Sequence, residues 1–126
     1  WFDTVAARYA VMLNRCDLVA LTLLDVLGGF DAIPVCVAYR YGQSRLTEFP
    51  SEPWVLEQVK PEFETLPGWK EEITGVREFR DLPARARDYV ERIAGWIGVP
   101  VGLLSTGPAR EQRVLPEGTK LKKWFP

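Results

Sequence analysis

Leu18-Val19-Ala20-Leu21-Thr22-Leu23-Leu24 is an apolar run that ends on a carboxylate, Asp25. A run without polar alternation reads as a strand buried on both faces, and such strands belong to parallel sheets. In open α/β sheets the ligand crevice lies outside the carboxyl ends of the strands, which is where Asp25 falls. A carboxylate accepts hydrogen bonds and donates none, so it suits a pair of adjacent N–H groups. The N1–H and N2–H₂ edge of guanine is such a pair. Spacing alone leaves two readings open: Asp25 reads an edge of this kind, or it caps the next helix or turn.

The rest of the chain supports an α/β arrangement. Residues 3–13 place Phe2, Val5, Ala6, Tyr9, Ala10 and Leu13 at helical spacings, with Asp3 as N-cap and Asn14-Arg15 as the end. Trp1, Phe2 and Tyr9 read as core. Gly28-Gly29 breaks the first strand from a second, Ile33–Tyr41, in which Pro34 suits the start. From Gln43 to about Thr74 the pattern weakens. Prolines at 50, 53, 61 and 67 argue against a long helix there, and Trp54, Phe63 and Trp69 are expected to pin the excursion to the domain. Phe79 to Leu82 leads into a helix with Pro83 in its first turn and Ala86, Tyr89, Val90, Ile93 and Ile97 facing inward, stopped by Gly98. Val99–Leu104 is a third strand, ending at Ser105-Thr106-Gly107-Pro108. These four residues read either as an ordinary turn or as a second binding segment beside Asp25. After Arg113 little pattern remains. The expected organisation is a segment 1–113 with a tail 114–126, and three strands suit part of a larger, mostly parallel sheet with flanking helices.

The chain has 126 residues, 47% of them hydrophobic and 26% charged, enough for one domain with a real core. Its net charge of −1 gives no electrostatic case for nucleic acid or an anionic membrane. No apolar run approaches the roughly 20 residues that span a bilayer. Lys120-Leu121-Lys122-Lys123 reads as a solvated tail rather than a phosphate patch. Cys16 and Cys36 form no metal motif and suggest reduced, buried thiols in a cytoplasmic protein. With no histidine, the commonest general acid/base is missing. No catalytic residue and no metal ligand is assigned to this chain, and its start at Trp1 reads as a piece of something longer.

Several blocks fall in a recognisable order: Trp1-Phe2-Asp3, Ala7-Arg8-Tyr9-Ala10, Asn14, Leu21-Thr22, Leu24-Asp25-Val26-Leu27 and Val35-Cys36-Val37-Ala38-Tyr39-Arg40. Leu66-Pro67-Gly68-Trp69, Leu82-Pro83, Gly98-Val99-Pro100-Val101, Leu104-Ser105-Thr106-Gly107-Pro108 and Arg110-Glu111 complete them. Together these resemble the C-terminal part of adenylosuccinate synthetase, across residues 1 to about 113. The resemblance implies a P-loop NTPase-like fold and a cytoplasmic, homodimeric ligase of purine (AMP) biosynthesis. Such an enzyme joins aspartate to inosine monophosphate (IMP) at the expense of GTP, with Mg²⁺. It further implies that Asp25, with Leu23 and Leu24, and Ser105, Thr106, Gly107 and Pro108 form the guanine pocket. Arg110-Glu111 reads equally as the rim of that pocket or as a solvated pair.

Two departures bear on function. Leu23 stands where the family has lysine, so it supplies apolar contact along a purine without charge. The phosphate loop, the catalytic aspartate and histidine, the Mg²⁺ ligands and the IMP-binding arginines that the resemblance implies all fall outside this chain. Alone it is expected to be inactive. Two readings of the whole stay open: the guanine-binding portion of a GTP-dependent ligase, or a detached, non-catalytic module that binds a guanine nucleotide weakly or docks on a partner.

Overall fold

The structure, a computed structural model, describes residues 1–124. Chain order is β1 (Phe2–Asp3), α1 (Thr4–Asn14), β2 (Val19–Leu21), β3 (Ala32–Tyr41), β4 (Ser44–Leu46), α2 (Pro53–Leu56), β5 (Lys60–Pro67), α3 (Ala84–Ile97), β6 (Val101–Ser105) and β7 (Arg113–Val114). Short 3₁₀ turns cover Asp25–Leu27, Phe79–Asp81 and Lys120–Lys123.

The strands form two mixed sheets, which corrects the mostly parallel expectation for this part of the chain. In one, β3 pairs parallel with β1 and antiparallel with β4 and β5; in the other, β6 pairs parallel with β2 and antiparallel with β7. Tight connections dictate much of this. Tyr41 opposes Ser44 across Gly42-Gln43, and a two-residue hairpin can only join antiparallel strands. Gly42, at φ 55°, supplies the left-handed residue such a turn needs.

Strand β5 lies in the stretch where no strand was expected. Its prolines at 61 and 67 and its charges at 60, 62 and 64 hide it, yet it pairs with β3 along most of its length. Proline is tolerated there because β5 offers one side to the ladder. The first strand is shorter than expected. Only Val19–Leu21 lie in a ladder, and Ala20, Thr22 and Leu23 are exposed, so the run is not buried on both faces.

Helix α3 follows its sequence pattern closely. Ala86, Tyr89, Val90, Ile93 and Ile97 are all buried and share one core with Leu21, Leu24, Ile33, Val35, Trp69, Leu104 and others, while Gly98 ends the helix at φ 81°. Helix α1 is capped by Asp3, whose Oδ1 accepts from the Val5 and Ala6 amides at 3.0 Å. The Tyr39 hydroxyl donates to Asp3 Oδ2 at 2.5 Å, and Thr4 Oγ1 donates to the Cys36 carbonyl at 2.8 Å, tying the cap to β3.

Several expected core residues stand outside it. Trp1 and Trp54 are each 62% exposed and Phe63 is 46% exposed; only Trp69 pins the excursion as expected. Leu13 and Ala10 face solvent, Phe2 and Tyr9 are half-buried, and Tyr9 stacks on Phe49. Both cysteines are free; Cys36 is buried and Cys16 is half-buried. The tail carries more structure than its sequence suggests. β7 spans residues 113 and 114, Val114 is fully buried, and positions 125 and 126 lie outside the described residues.

The Leu66–Trp69 segment locks β5 to the end of β3. The Gly68 amide donates to the Asp31 carbonyl and the Gly29 amide to the Trp69 carbonyl, both at 2.9 Å. A Cβ on Gly68 would strike the backbone of Phe30. Gly68→Ala should therefore cost about 1–3 kcal/mol, as overpacking against unyielding backbone does. Urea unfolding checks this, and an unchanged midpoint would contradict it.

Burial pushes the Tyr89 phenol up to about 12 from its ordinary 10. Burial, then the Asp3 carboxylate, raises Tyr39 as well. An acid with a raised folded pKa stabilises the fold while it is protonated in both states. The contribution is therefore whole below pH 10 and is lost as pH climbs from 10 towards 12. Unfolding midpoints should fall across that window, and less steeply in Tyr89→Phe.

Candidate functional site

The two segments singled out in the sequence meet at the carboxyl ends of β2 and β6. The strands run parallel, with Leu21 opposite Leu104, and the Leu24 amide then donates to the Ser105 carbonyl at 3.1 Å. Between these two contacts Leu23 takes a left-handed conformation, φ 60°. That kink turns Leu24 into the core, leaves Leu23 63% exposed, and starts the 3₁₀ turn on Asp25. The turn closes when the Gly28 amide donates to the Asp25 carbonyl at 3.0 Å. Val26, on the same turn, is also exposed.

Asp25 does not cap this turn with its side chain; Leu24 occupies the capping position and no side-chain hydrogen bond is made there. The Asp25 side chain is half-buried, and its Oδ1 is enclosed without a hydrogen-bond partner among the described residues. Thr106 Oγ1 and Trp69 Nε1 are in the same condition. Buried polar groups are paired in the great majority of cases, and each exception calls for a cause. Two of these three belong to the two segments that meet here. The third adjoins them: a Cβ on Gly28 would lie 3.9 Å from Trp69 Nε1 and 3.1 Å from the Asp25 carbonyl oxygen.

The Ser105–Pro108 loop is held from within. Ser105 Oγ donates to the Gly107 carbonyl at 2.9 Å, and the buried Thr106 donates its amide to the Gln112 carbonyl at 2.9 Å. Pro108 is exposed at the tip. Gln112 returns twice to Ala109, its amide donating to the Ala109 carbonyl at 2.9 Å and its Oε1 accepting from the Ala109 amide at 2.8 Å. The Gln112 side chain also lies over Gly107, where a Cβ would come within 2.6 Å of Gln112 Cδ. A side chain at 107 would have to displace the end of Gln112.

What this arrangement offers chemically is recognition. It presents an acceptor-only carboxylate, a threonine hydroxyl able to donate or accept, and flanking apolar surface from Leu23 and Pro108. Among the described residues, no three His, Cys, Asp or Glu side chains gather to hold a metal ion, and no helix is long and apolar enough to cross a membrane. Arg110 and Glu111 are both exposed, and Glu111 lines an open charged groove with Arg77, Arg80 and Lys122.

Sequence reasoning missed Gln112 and gave Trp69 no part here. Gln112 acts through a loop closure that spacing does not reveal. Trp69 carried one usable signal, its place after Gly68 in a Leu-Pro-Gly-Trp block.

Comparison with known proteins bears on the family of the chain as a whole. The family model described as adenylosuccinate synthetase matches residues 1–114. An adenylosuccinate synthetase of Desulforudis audaxviator is 50% identical over 112 residues, covering 89% of this chain and 26% of that protein. One from Salinibacter ruber is 47% identical over 112 residues, with 89% and 26% covered. A fully ligated adenylosuccinate synthetase structure from Plasmodium falciparum superposes with a TM-score of 0.85 at 32% identity, over 91% of this chain and 28% of that one. The chain thus spans about a quarter of the length of the relatives it matches.

Proposed function

Because the chain belongs to the adenylosuccinate synthetase family, we propose that it is the C-terminal, guanine-recognising portion of such an enzyme. On this reading residues 1–113 complete a larger P-loop-like sheet and 114–126 form its tail. The whole protein works in the cytoplasm as a homodimer, without nucleic acid or membrane. It makes adenylosuccinate from IMP and aspartate with GTP: GTP phosphorylates the 6-oxygen of IMP, and aspartate then displaces phosphate.

The observation that carries the reading is the unpartnered Asp25 carboxylate oxygen beside the Ser105–Pro108 loop. Asp25 accepts from guanine N1–H and N2–H₂. Charge-assisted bonds of this kind contribute about 1.5–3 kcal/mol each. Adenine would set its N1 acceptor against the carboxylate and offers no 2-amino group, so it is rejected. Ser105, Thr106 and Gly107 bound the base edge, with Thr106 Oγ1 the hydroxyl left to pair. Pro108, Leu23 and the backbone of Leu24 flank the purine.

Phosphoryl transfer rests on positioning and charge neutralisation around the phosphates. Magnesium supplies that neutralisation in the family, and the described residues of this chain offer no cluster that fits it. Its ligands, with the phosphate and IMP contacts, are assigned outside the segment, and the segment's own task is to seat and select the base.

The non-catalytic alternative has one observation in its favour. Leu23, exposed over the site, lacks the ammonium that the family's lysine would carry. In that case guanine binding persists, weakened, without a reaction to serve.

Calorimetric titration with GDP, in the complete natural polypeptide that contains this chain, tests the base contact. Asp25→Asn should lose about 1–3 kcal/mol of GDP affinity, the cost of leaving a buried polar group mismatched. It should favour xanthosine diphosphate instead, whose 2-oxo group accepts from the new amide. Leu23→Lys should tighten GDP. Unchanged GDP affinity in Asp25→Asn would make the carboxylate structural.

A further inference from the structure

We propose that Gln112 is a positioning residue for base recognition, clamping the Ser105–Pro108 loop into the one shape that faces the nucleobase; this rests on the guanine reading above. Three bonds and one packing contact converge on it. Its carbonyl takes the Thr106 amide, its amide reaches the Ala109 carbonyl, and its Oε1 takes the Ala109 amide, all at 2.8–2.9 Å. Its side chain lies against Gly107 between those anchor points.

The backbone bonds of Gln112 would survive most substitutions. The side-chain bond would not, and it alone satisfies the Ala109 amide from across the loop. Without that acceptor the Ala109 amide must seek water, and the turn between Gly107 and Ala109 loosens. Thr106 and Gly107 then leave the geometry that the rigid β6 end otherwise imposes. Sites of this kind owe their precision to supporting hydrogen bonds around the contacting residues. The cost of binding rises when a loop must be ordered at the moment of association.

The inference is specific about chemistry: what the loop needs at 112 is an acceptor on a side chain of this length. Gln112→Leu keeps approximate size and removes the acceptor. Gln112→Glu keeps the acceptor and should rescue.

The test measures GDP and IMP affinities by titration in the complete natural polypeptide, for wild type, Gln112→Leu, Gln112→Glu and Asp25→Asn. Gln112→Leu should weaken GDP by up to about tenfold, the scale of one lost hydrogen bond in a half-buried loop. IMP affinity should stay unchanged, and Gln112→Glu should bind GDP as wild type does. Equal loss of GDP and IMP would mark a merely structural residue and overturn the proposal. Should Gln112→Leu not fold, Gln112→Ala, which removes the same acceptor without adding apolar bulk, should give the same selective loss, and its absence would likewise overturn the proposal. If Asp25→Asn loses GDP affinity while Gln112→Leu does not, the clamp fails and the base site stands. If neither variant changes GDP binding, the guanine reading fails and takes the clamp with it.

Discussion

The parallel pairing of β2 with β6 is the constraint on which the candidate site depends. Three ladder pairs and two flanking bonds, from the Val19 amide to the Pro100 carbonyl and from the Leu24 amide to the Ser105 carbonyl, bring together segments some eighty residues apart. Parallel strands require a long crossover, and here the crossover contains strands β3, β4 and β5 of the first sheet and helix α3. The burial of that helix against Leu21, Leu24 and Leu104 supplies the apolar free energy that holds so short a ladder in register. A slip of one residue would exchange the buried Leu21 for an exposed neighbour and the buried Leu104 for a half-buried one, and separate Asp25 from the loop.

Among the described residues, buried side-chain polar atoms away from these two segments and the neighbouring Trp69 have hydrogen-bond partners. The Asp3 cap serves two helix amides and a tyrosine hydroxyl, and Arg40 and Arg45 share Glu62 across the first sheet. Those surface ion pairs contribute little, since exposed pairs are worth at most about 1 kcal/mol. The buried side-chain polar atoms without a partner among the described residues lie on Asp25, Thr106 and Trp69. Lapses scattered at random would say little. Their position on the two converging segments, and beside the turn after Asp25, is what gives them meaning. Two non-glycine residues hold a left-handed conformation: Arg15, which ends α1, and Leu23, which lies at this site.

How much of this was legible depended on whether local pattern and tertiary role coincide. In α3 they do: five apolar positions at helical spacing, a proline at the start and a glycine at the end suffice. In β5 they do not. Glu62 and Glu64 belong to a strand open to solvent, and its two prolines speak against any strand until the single-sided pairing with β3 is seen. The run from Leu18 to Leu24 misled in the opposite direction, since apolar residues near a binding surface look like core. Asp25 and Ser105–Pro108 were legible as a site only through the family resemblance, because each also spells a common turn. Gln112 was illegible, since its side chain accepts from an amide three residues back, a contact that spacing does not spell.

Leu23 shows why the kink and the side chain can be separated. A left-handed non-glycine residue costs roughly 1–2 kcal/mol. Glycine would remove that strain, but its extra freedom in the unfolded chain costs roughly 0.5–1 kcal/mol. The strain is the larger of the two, so stability slightly favours glycine here and does not by itself call for leucine. Lysine carries the same backbone strain as leucine, and both side chains would lie exposed over the same surface. What remains to select between them is the object they cover. Over a purine, an aliphatic stem serves from either residue, whereas an ammonium helps only where polar groups of the ligand or of the neighbouring protein lie within reach. The kink itself is demanded by the Leu24–Ser105 bond on one side and the Asp25 turn on the other, whatever side chain it carries.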